Sequence, residues 1–397
     1  MTKIFVASRS FGKVVDDGIE LLKREGEMIT NPYGRALSSN ELRESLREMD
    51  ATLLGNDVCD ASVLNAASRL KVVSRHGIGV DSVDLRAATE NGIVVANTPR
   101  VNTTAVAEHT IALMLAMLRR IPGADLSLKS KRWEGLKFVG EELAGKRLGI
   151  IGLGAIGKEV AKKAKAFGID IVYTKRHRDT NLEKELGLSF APLQTLLSES
   201  DMISIHVPLT PDTKGLIGRK EIALMKKGAY IINTARGGIV DSDALAEALR
   251  SGRIAGAAVD VFDTEPPDFS SPLFNVEKII MTPHIGAYTV EAIRRMDRIA
   301  AENIAKVLRG EIPEYVVNRE VLSSQKLRMK TSIWEKRDSQ FLASPPRGNA
   351  LVFRQCSGGH SELPVVDWNR ISSHSHMFSA VEQALARSGF NPADPIS

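Results

Sequence analysis

At the centre of this 397-residue chain stands the stretch Lys146-Arg-Leu-Gly-Ile-Ile-Gly-Leu-Gly-Ala-Ile-Gly157. Its first half is a short apolar run, long enough for a buried strand, and its second half has the glycine spacing G-x-G-x-x-G. An amphipathic segment follows, and a second apolar run begins at Ile169. A glycine turn between a strand and a helix is typical of dinucleotide-binding sites. The stretch therefore predicts a cofactor pyrophosphate at the N-terminus of a helix.

The three glycines have separate physical roles in this prediction. Gly152 permits the tight turn, Gly154 lets the backbone approach the pyrophosphate, and Gly157 lets the helix pack closely on the strand. Without the flanking strand and helix signals, the same spacing would indicate only a glycine-rich turn.

Strand and helix signals alternate on both sides of this turn. Six apolar runs between residues 147 and 282 predict a doubly wound parallel sheet, and residues 1–98 predict a second, smaller α/β unit. A long helix from Thr104 to Arg119 is expected to connect the two units, and Pro122-Gly123 is expected to end it. We therefore predict an α/β protein with two Rossmann-like, doubly wound parallel-sheet domains.

Composition excludes several classes of partner. Three of the five net positive charges lie in residues 324–397, so the remainder is nearly neutral and no nucleic-acid partner is expected. Cys59 and Cys356 are too few for a disulfide framework or a cysteine metal site, and they favour a reducing compartment. The first residues lack the apolar run of a signal peptide, and the most apolar helix is too short for a bilayer. These features predict a cytoplasmic protein with no metal and no membrane contact.

Three short motifs place polar side chains directly after apolar strands. Arg236 follows one strand, Glu265 stands in a proline-marked loop after the next, and His284 follows the last. Because ligands bind outside the carboxyl ends of the strands in a doubly wound sheet, the three side chains should converge on the cofactor cleft. A histidine can supply a proton to a keto oxygen, a glutamate can orient the imidazole, and an arginine can bind a carboxylate. The set predicts reduction of a 2-keto acid.

These motifs give the chain a resemblance to the D-isomer-specific 2-hydroxyacid dehydrogenases over residues 40–320, most similar to the phosphoglycerate dehydrogenase and glyoxylate-hydroxypyruvate reductase branches. The shared motifs are Gly152–Gly157, His206-Val-Pro-Leu-Thr-Pro211, Ala235-Arg-Gly-Gly-Ile-Val-Asp241, Asp260-Val-Phe262 with Glu265-Pro266, Pro283-His-Ile-Gly-Ala287, Arg75-His-Gly-Ile-Gly-Val-Asp81 and Ala107-Glu-His109.

The resemblance implies a role for each matching position. It implies that Arg236, Glu265 and His284 form the catalytic set. It implies a substrate loop whose backbone N–H groups hold the carboxylate, formed by Arg75, His76, Gly77, Ile78 and Gly79. It implies that Ala155, Ile156, Val207, Pro208, Ala235, Asp260 and Gly286 line the dinucleotide site, together with the glycine turn of Gly152, Gly154 and Gly157. Thr174, Lys175 and Arg176 at the end of the second strand, and Thr213, are further candidate cofactor residues.

The resemblance also implies a domain arrangement. Residues 1–99 and 288–323 are expected to form a discontinuous substrate domain, and residues 100–287 the dinucleotide-binding domain. A homodimer is expected, built largely through the region of the connecting helix. Residues 324–397 lack a sustained hydrophobic period and are expected to form a poorly ordered extension of unknown role. Only residues 376–388 have a helical pattern.

The sequence departs from the phosphoglycerate branch at two positions. That branch typically has an arginine near Asn56-Asp57 for the substrate phosphate, and none is present. NAD-specific members end the second strand with an acid that binds the ribose hydroxyls, whereas this chain has Thr174 and Lys175, followed by Arg176 and Arg178. The cofactor is therefore NAD or NADP, and the missing acid favours NADP. A dinucleotide-sensing binding protein or corepressor on the same fold is the alternative function.

Overall fold

A computed structural model of the chain describes residues 1–329. The predicted C-terminal extension begins at residue 324, and its residues 330–397, with the helix expected at 376–388, lie outside the described residues.

The first sheet contains five parallel strands. They are β1 (Lys3–Val6), β2 (Glu27–Thr30), β3 (Ala51–Leu54), β4 (Val72–Arg75) and β5 (Val94–Ala96), and their spatial order is β2-β1-β3-β4-β5. The helices of this segment are α1 (Asp17–Glu25), α2 (Ser39–Leu46), α3 (Ala61–Ala66) and α4 (Leu85–Glu90). A capping box of Ser38 and Glu41 fixes the start of α2.

The second sheet contains seven parallel strands. The helices of this segment are α5 (Thr103–Leu118), α6 (Ile121–Lys129), α7 (Ala155–Lys165), α8 (Thr180–Leu186), α9 (Leu193–Glu199), α10 (Arg219–Leu224) and α11 (Ser242–Arg250). The strands are β6 (Arg147–Ile151), β7 (Asp170–Thr174), β8 (Ser189–Phe190), β9 (Met202–Ile205), β10 (Ala229–Asn233), β11 (Ile254–Val259) and β12 (Ile279–Met281), in the order β12-β11-β10-β9-β6-β7-β8. Helices cover both faces, which is why the central strands are apolar along their whole length.

Each sheet has a switch point, where two neighbouring strands send their outgoing connections to opposite sides. In the second sheet β6 lies between β7 and β9, and in the first sheet β1 lies between β2 and β3. Ligands bind in the crevice that such a switch point opens at the carboxyl ends of the strands. The glycine turn after β6 occupies the first of these crevices, as the sequence predicts.

The chain then returns to the first sheet. Helix α12 (Val290–Leu308) packs on α1 and on the first sheet. Beyond it, the Val317 N–H donates to the Val95 carbonyl at 2.7 Å. The buried Asn318 amide accepts from the Val95 N–H and donates to the Ile93 carbonyl. The returning segment therefore holds the edge of β5 by backbone and side-chain hydrogen bonds.

This packing continues six residues past the predicted domain end at residue 323. The Arg328 N–H donates to the Gly92 carbonyl, and its guanidinium donates to the carbonyls of Ala67 and Leu70 at 2.6 and 3.1 Å. Met329 is buried. Residues 324–329 are thus part of the packing around the first sheet.

The element predictions fail where the apolar pattern is weak. The sequence predicts six strands in the second sheet, whereas the structure has seven, because the edge strand β8 is only two residues long. Strand β2 is an edge strand without a buried residue and was not predicted. The sequence predicts that Pro122-Gly123 ends the connecting helix, whereas α5 already ends at Leu118 and Pro122 lies in the first turn of α6, where no N–H is needed.

Replacing Asn318 by alanine tests the returning segment. The change leaves the Val95 N–H and the Ile93 carbonyl without partners in a buried position, so the free energy of unfolding should fall by about 2–4 kcal/mol. Urea unfolding followed by circular dichroism measures it, with Asn40→Ala on the exposed side of α2 as the control. An Asn318→Ala midpoint equal to that of the control would show that the segment does not stabilise the domain.

Candidate active site

The glycine turn has the geometry that a dinucleotide needs. Gly152 has φ +95°, and a Cβ there would lie 2.7 Å from the His206 carbonyl oxygen. A Cβ on Gly157 would lie 2.2 Å from the Gly152 carbonyl oxygen, so only glycine allows this close helix–strand contact. A Cβ on Gly154 would meet no atom within 4 Å, so the space in front of the α7 N-terminus is open. An open helix N-terminus of this kind fits a pyrophosphate.

The other predicted cofactor residues follow the carboxyl ends of neighbouring strands. Thr174 ends β7, Val207 and Pro208 follow β9, and Ala235 follows β10. The Thr213 hydroxyl donates to the Pro208 carbonyl at 2.6 Å and accepts from the Thr210 N–H at 2.8 Å. Thr213 therefore closes the loop that carries Pro208.

The basic residues after β7 have acidic partners. Lys175 lies 3.7 Å from the Asp179 carboxylate, and Arg176 lies 2.6 Å from Asp212 in a pair that is mostly exposed. Arg178 binds Glu183 through two hydrogen bonds and also stacks on Phe190. Because an exposed ion pair is weak, Arg176 can exchange its partner for a ligand anion, whereas Arg178 is held more firmly.

The imidazole of His284 is paired with Glu265. His284 Nδ1 lies 2.6 Å from Glu265 Oε2, and the Phe262 N–H donates to the other carboxylate oxygen at 3.3 Å. The Asn56 amide, from the first domain, approaches Glu265 Oε2 at 3.5 Å. His284 has φ +53°, an uncommon left-handed conformation that the surrounding turn must hold in place.

Asp260 holds that turn. Its carboxylate accepts from the Thr282 hydroxyl at 2.6 Å and from the N–H groups of Ile285 and Gly286 at 2.9 and 2.8 Å. Burial favours the neutral acid, but these hydrogen bonds and His109 outweigh it and keep the pKa of Asp260 below its ordinary value. Both oxygens of Asp260 thus have protein partners, and Gly286 is one of the groups that Asp260 binds.

Arg236 lies over the predicted substrate loop. Its Nε donates to Asp81 Oδ1 at 3.1 Å, across the two domains. A Cβ on Gly79 would lie 1.6 Å from an Arg236 terminal nitrogen, so Gly79 must be glycine for the guanidinium to lie there. The side-chain amide of Asn233 donates a hydrogen bond to the backbone carbonyl of Arg236 at 2.8 Å.

Asn97 and Thr98, which follow β5, hold the substrate loop by hydrogen bonds. The Asn97 amide donates to the Ile78 carbonyl at 2.8 Å, and the Thr98 N–H donates to the Gly77 carbonyl at 3.0 Å. The N–H groups of Ile78 and Gly79 have no acceptor among residues 1–329 and are free for a ligand. This arrangement fits the expected recognition of a carboxylate.

Two buried side chains of the loop, those of His76 and Arg75, make hydrogen bonds to residues outside it. His76 Nε2 lies 2.7 Å from the Asp297 carboxylate of α12, and His76 Nδ1 lies 3.0 Å from the Ser8 hydroxyl. Arg75 contacts Asn56 and the His76 carbonyl, and burial, together with the nearby charge of Arg236, lowers the pKa of its guanidinium to about 10.

The predicted substrate loop, Arg236 and His284 therefore line one cleft, and Glu265 lines the adjoining pocket. The sequence reasoning missed Asn56, Asp81 and Tyr288, which line the same region. Asn56 follows β3 and could have been found from its position at a strand end.

Within residues 1–329, no three His, Cys, Asp or Glu side chains are grouped to bind a metal ion. None of the helices in the described part of the chain has the length and hydrophobicity to cross a bilayer.

Residues 111–286 match the family model described as "D-isomer specific 2-hydroxyacid dehydrogenase, NAD binding domain". The chain is 44% identical to D-3-phosphoglycerate dehydrogenase of Methanocaldococcus jannaschii over 79% of its own length and only 59% of that protein. It is 41% identical to glyoxylate reductase of Thermococcus litoralis over 81% of its own length and 98% of that protein.

Among solved structures, the chain is similar to the TT0316 protein of Thermus thermophilus, with a TM-score of 0.72 and 38% identity. The similarity covers 80% of this chain and all of that one. The resemblance stated from the motifs is confirmed: the chain belongs to the D-isomer-specific 2-hydroxyacid dehydrogenase family.

Proposed function

We propose that the chain is an NAD(P)-dependent oxidoreductase that interconverts a small 2-keto acid and the matching D-2-hydroxy acid. The observation that carries this proposal is the 2.6 Å contact between His284 and Glu265 beside a cleft that His284 shares with Arg236. The match to the family's NAD-binding domain supports a nicotinamide dinucleotide as the cofactor.

His284 is proposed as the acid and base of the reaction. Reduction of a 2-keto acid adds a hydride to the carbonyl carbon and a proton to the carbonyl oxygen, and the bound dinucleotide supplies the hydride. With Nδ1–H donating to Glu265, the Nε2 atom of His284 is the one that holds the proton for the keto oxygen. In the oxidation direction the same nitrogen takes the proton from the hydroxyl group.

Arg236 is proposed to bind the substrate carboxylate and polarise the keto oxygen. Its planar guanidinium can make two parallel hydrogen bonds to a carboxylate. Asp81 binds the Nε edge, and Nη1 donates one hydrogen to the Ala235 carbonyl at 2.8 Å, so the donors that remain for substrate are the other hydrogen of Nη1 and both hydrogens of Nη2. The free N–H groups of Ile78 and Gly79 would bind the carboxylate from the other domain.

The cofactor proposal assigns the pyrophosphate to the turn of Gly152, Gly154 and Gly157, with Ala155 and Ile156 opening the helix. Val207, Pro208, Thr213 and Ala235 would flank the dinucleotide, with Asp260 and Gly286 at its nicotinamide end. NADP is the proposed preference, because no acid stands at Thr174 or Lys175 to bind the ribose hydroxyls.

A homodimer is proposed through the region after α5. Six apolar side chains of this region are more than half exposed in the single chain, and they are Ile121, Leu126, Leu128, Trp133, Leu136 and Val139. A segment in which so many apolar side chains are exposed favours contact with another protein.

The cytoplasmic location remains a prediction from the composition. The expectation that the chain has no nucleic-acid and no membrane partner also remains a prediction.

Replacing His284 by alanine tests the proposed chemistry. Turnover of 2-keto acids should fall by about 10²–10⁴-fold, because a positioned acid–base group is lost, while cofactor affinity should barely change. Steady-state kinetics over a panel of 2-keto acids and fluorescence titration of the reduced cofactor measure the two effects. Near-normal turnover in the variant would refute the assignment, and a wild-type chain that binds cofactor but reduces no 2-keto acid would favour the sensing function.

Replacing Glu265 by glutamine tests the pairing with His284. The amide keeps the size of the side chain but loses the charge that stabilises the imidazolium, so kcat should fall by about 10- to 100-fold. In a His284→Ala background the same change should have little further effect, because the two residues act together. The exposed Glu277→Gln variant is the control. Independent, multiplicative losses in the double variant would show that Glu265 does not act through His284.

Replacing Lys175 and Arg176 together by alanine tests the cofactor preference. The wild type should have a higher kcat/KM with NADPH than with NADH, and the double variant should lose about 10- to 100-fold with NADPH, because charged donors to a 2′-phosphate are removed. The matched control is Arg178→Ala, since Arg178 is held by Glu183 and Phe190. A wild type that prefers NADH, with the double variant unchanged, would refute the NADP proposal and leave the reaction class intact.

A further inference from the structure

The carboxylate of Glu265 has a polar neighbour in each of the two α/β domains. Its Oε2 atom lies 2.6 Å from His284 Nδ1 and 3.5 Å from Nδ2 of Asn56, which follows β3 in the first sheet. The other carboxylate oxygen accepts from the Phe262 N–H at 3.3 Å. One oxygen of Glu265 is therefore shared between the proposed acid–base histidine and an asparagine of the first domain.

Arg75 fixes which way the amide of Asn56 faces. A terminal nitrogen of Arg75 donates to Asn56 Oδ1, and because a guanidinium has no acceptor, the amide oxygen must face Arg75. The amide nitrogen, which carries the donors, then faces Glu265. Arg75 is itself buried and donates to the His76 carbonyl, so it has little freedom to turn away. These contacts leave Asn56 one orientation, in which it is a donor to the carboxylate.

The backbone that carries Asn56 belongs to the rigid part of the first sheet. Leu54 of β3 pairs with Arg75 of β4, and the His76 N–H donates to the Leu54 carbonyl at 2.9 Å. The next residue, Asp57, is buried, and its carboxylate accepts from a backbone N–H at 2.7 Å. Asn56 therefore moves together with the first sheet and with the predicted substrate loop that follows β4.

The contact between Asn56 and Glu265 depends on how closely the two domains approach. At 3.5 Å it is at the long end of the hydrogen-bond range, so a closer approach of roughly 0.5 Å makes it a well-formed hydrogen bond. Arg75 reaches from this contact to the His76 carbonyl in the substrate loop. A continuous series of contacts thus runs from that loop through Arg75, Asn56 and Glu265 to His284.

A donor to Glu265 Oε2 changes how strongly the carboxylate stabilises the protonated form of His284. The negative charge of Glu265 favours the protonated imidazole. A second donor on the same oxygen takes up part of that charge, so the imidazole gives up its proton more readily. The same donor favours the ionised form of Glu265, because a hydrogen bond to a charged form stabilises it.

We propose that Asn56 is a positioning residue that acts on His284 through Glu265: held by Arg75, it donates to the carboxylate and adjusts how tightly the imidazole keeps its proton. The inference rests on the proposed function and deepens it. Because Asn56 and the substrate loop belong to the same sheet, proton transfer by His284 becomes dependent on the approach of the domain that carries the loop.

Other charged and titratable groups face His284 and Glu265 and contribute to the pH dependence of the site. In the first domain, the groups that line the same pockets are Arg9, Arg75, His76 and Asp81. The remaining ones are Arg236, Asp263 and Tyr288. Asn56 carries no charge, so an Asn56 variant retains all of these groups, and a change in its pH profile reports the contact with Glu265.

The pH dependence of kcat tests the inference, measured with the 2-keto acid that the wild type reduces fastest. Asn56→Leu removes the donor but keeps the volume of the side chain, so that water does not replace the amide. Because reduction requires a protonated His284, kcat falls as the pH rises. In Asn56→Leu this fall should move toward higher pH by about 0.3–1 pH unit, while the KM of the cofactor stays unchanged.

The direction of the shift separates this role from a merely structural one. Glu265→Gln should move the fall of kcat toward lower pH, because the protonated imidazole loses the charge that stabilises it. If Asn56 only kept Glu265 in place, Asn56→Leu would shift the profile in that same direction. A shift toward lower pH, or no shift, therefore overturns the inference.

Three further variants make the result specific. Asn56→Gln keeps an amide and should retain the wild-type profile, whereas Asn40→Ala, on the exposed side of α2, should change nothing. In a Glu265→Gln background, Asn56→Leu should move the profile no further than Glu265→Gln does alone. An equal shift by Asn56→Leu with and without Glu265, or a shift in Asn56→Gln as large as in Asn56→Leu, contradicts the inference.

A titration of the histidine itself separates this inference from the reaction. If the wild type reduces no 2-keto acid, the proposed function fails, and nuclear magnetic resonance of the full chain with ring-labelled histidine still follows the protonation of His284. Its signal is identified by its absence from His284→Ala. A titration midpoint that is higher by about 0.3 pH unit or more in Asn56→Leu supports the role of Asn56. Equal midpoints, or a lower one in the variant, refute it.

Discussion

The buried carboxylate of Asp260 joins three parts of the second domain, and the geometry of the site depends on it. Asp260 follows β11, binds the hydroxyl and backbone N–H groups of the turn after β12, and contacts His109 of α5. Because this turn places His284 in a left-handed conformation, it needs such a hydrogen-bonded anchor to persist. The 2.6 Å contact from His284 to Glu265 is the consequence.

The second constraint is that the site is divided between two sheets. The second sheet supplies Arg236, Glu265 and His284 from consecutive strand ends, and the first supplies the loop from Arg75 to Gly79. Arg236 joins the two parts through its ion pair with Asp81, and its guanidinium lies where a side chain at position 79 would otherwise stand. Neither sheet supplies all the residues of the proposed site, and the returning segment with α12 and Asn318 packs on the sheet that carries the predicted substrate loop.

Much of this could be predicted from the sequence because the signals are local. The turn at Gly152 combines a strand, three spaced glycines and a helix within about twenty residues, and the structure gives each glycine the expected steric role. The convergence of Arg236, Glu265 and His284 follows from one rule about parallel strands. The contacts of Asn56 with Glu265 and of Asp81 with Arg236 could not be predicted in the same way. They join residues 209 and 155 positions apart, and neither residue stands in a pattern that names its partner.

The most direct test of the central claim is to follow the transferred hydrogen. The chain should be supplied with a reduced dinucleotide in which both hydrogens at the reactive carbon of the nicotinamide are deuterium, together with the 2-keto acid that it reduces fastest. Mass spectrometry and chiral chromatography then determine the label and configuration of the product. The account predicts one deuterium at carbon 2 of a 2-hydroxy acid with the D configuration. A product without deuterium, or one with the L configuration, would contradict it.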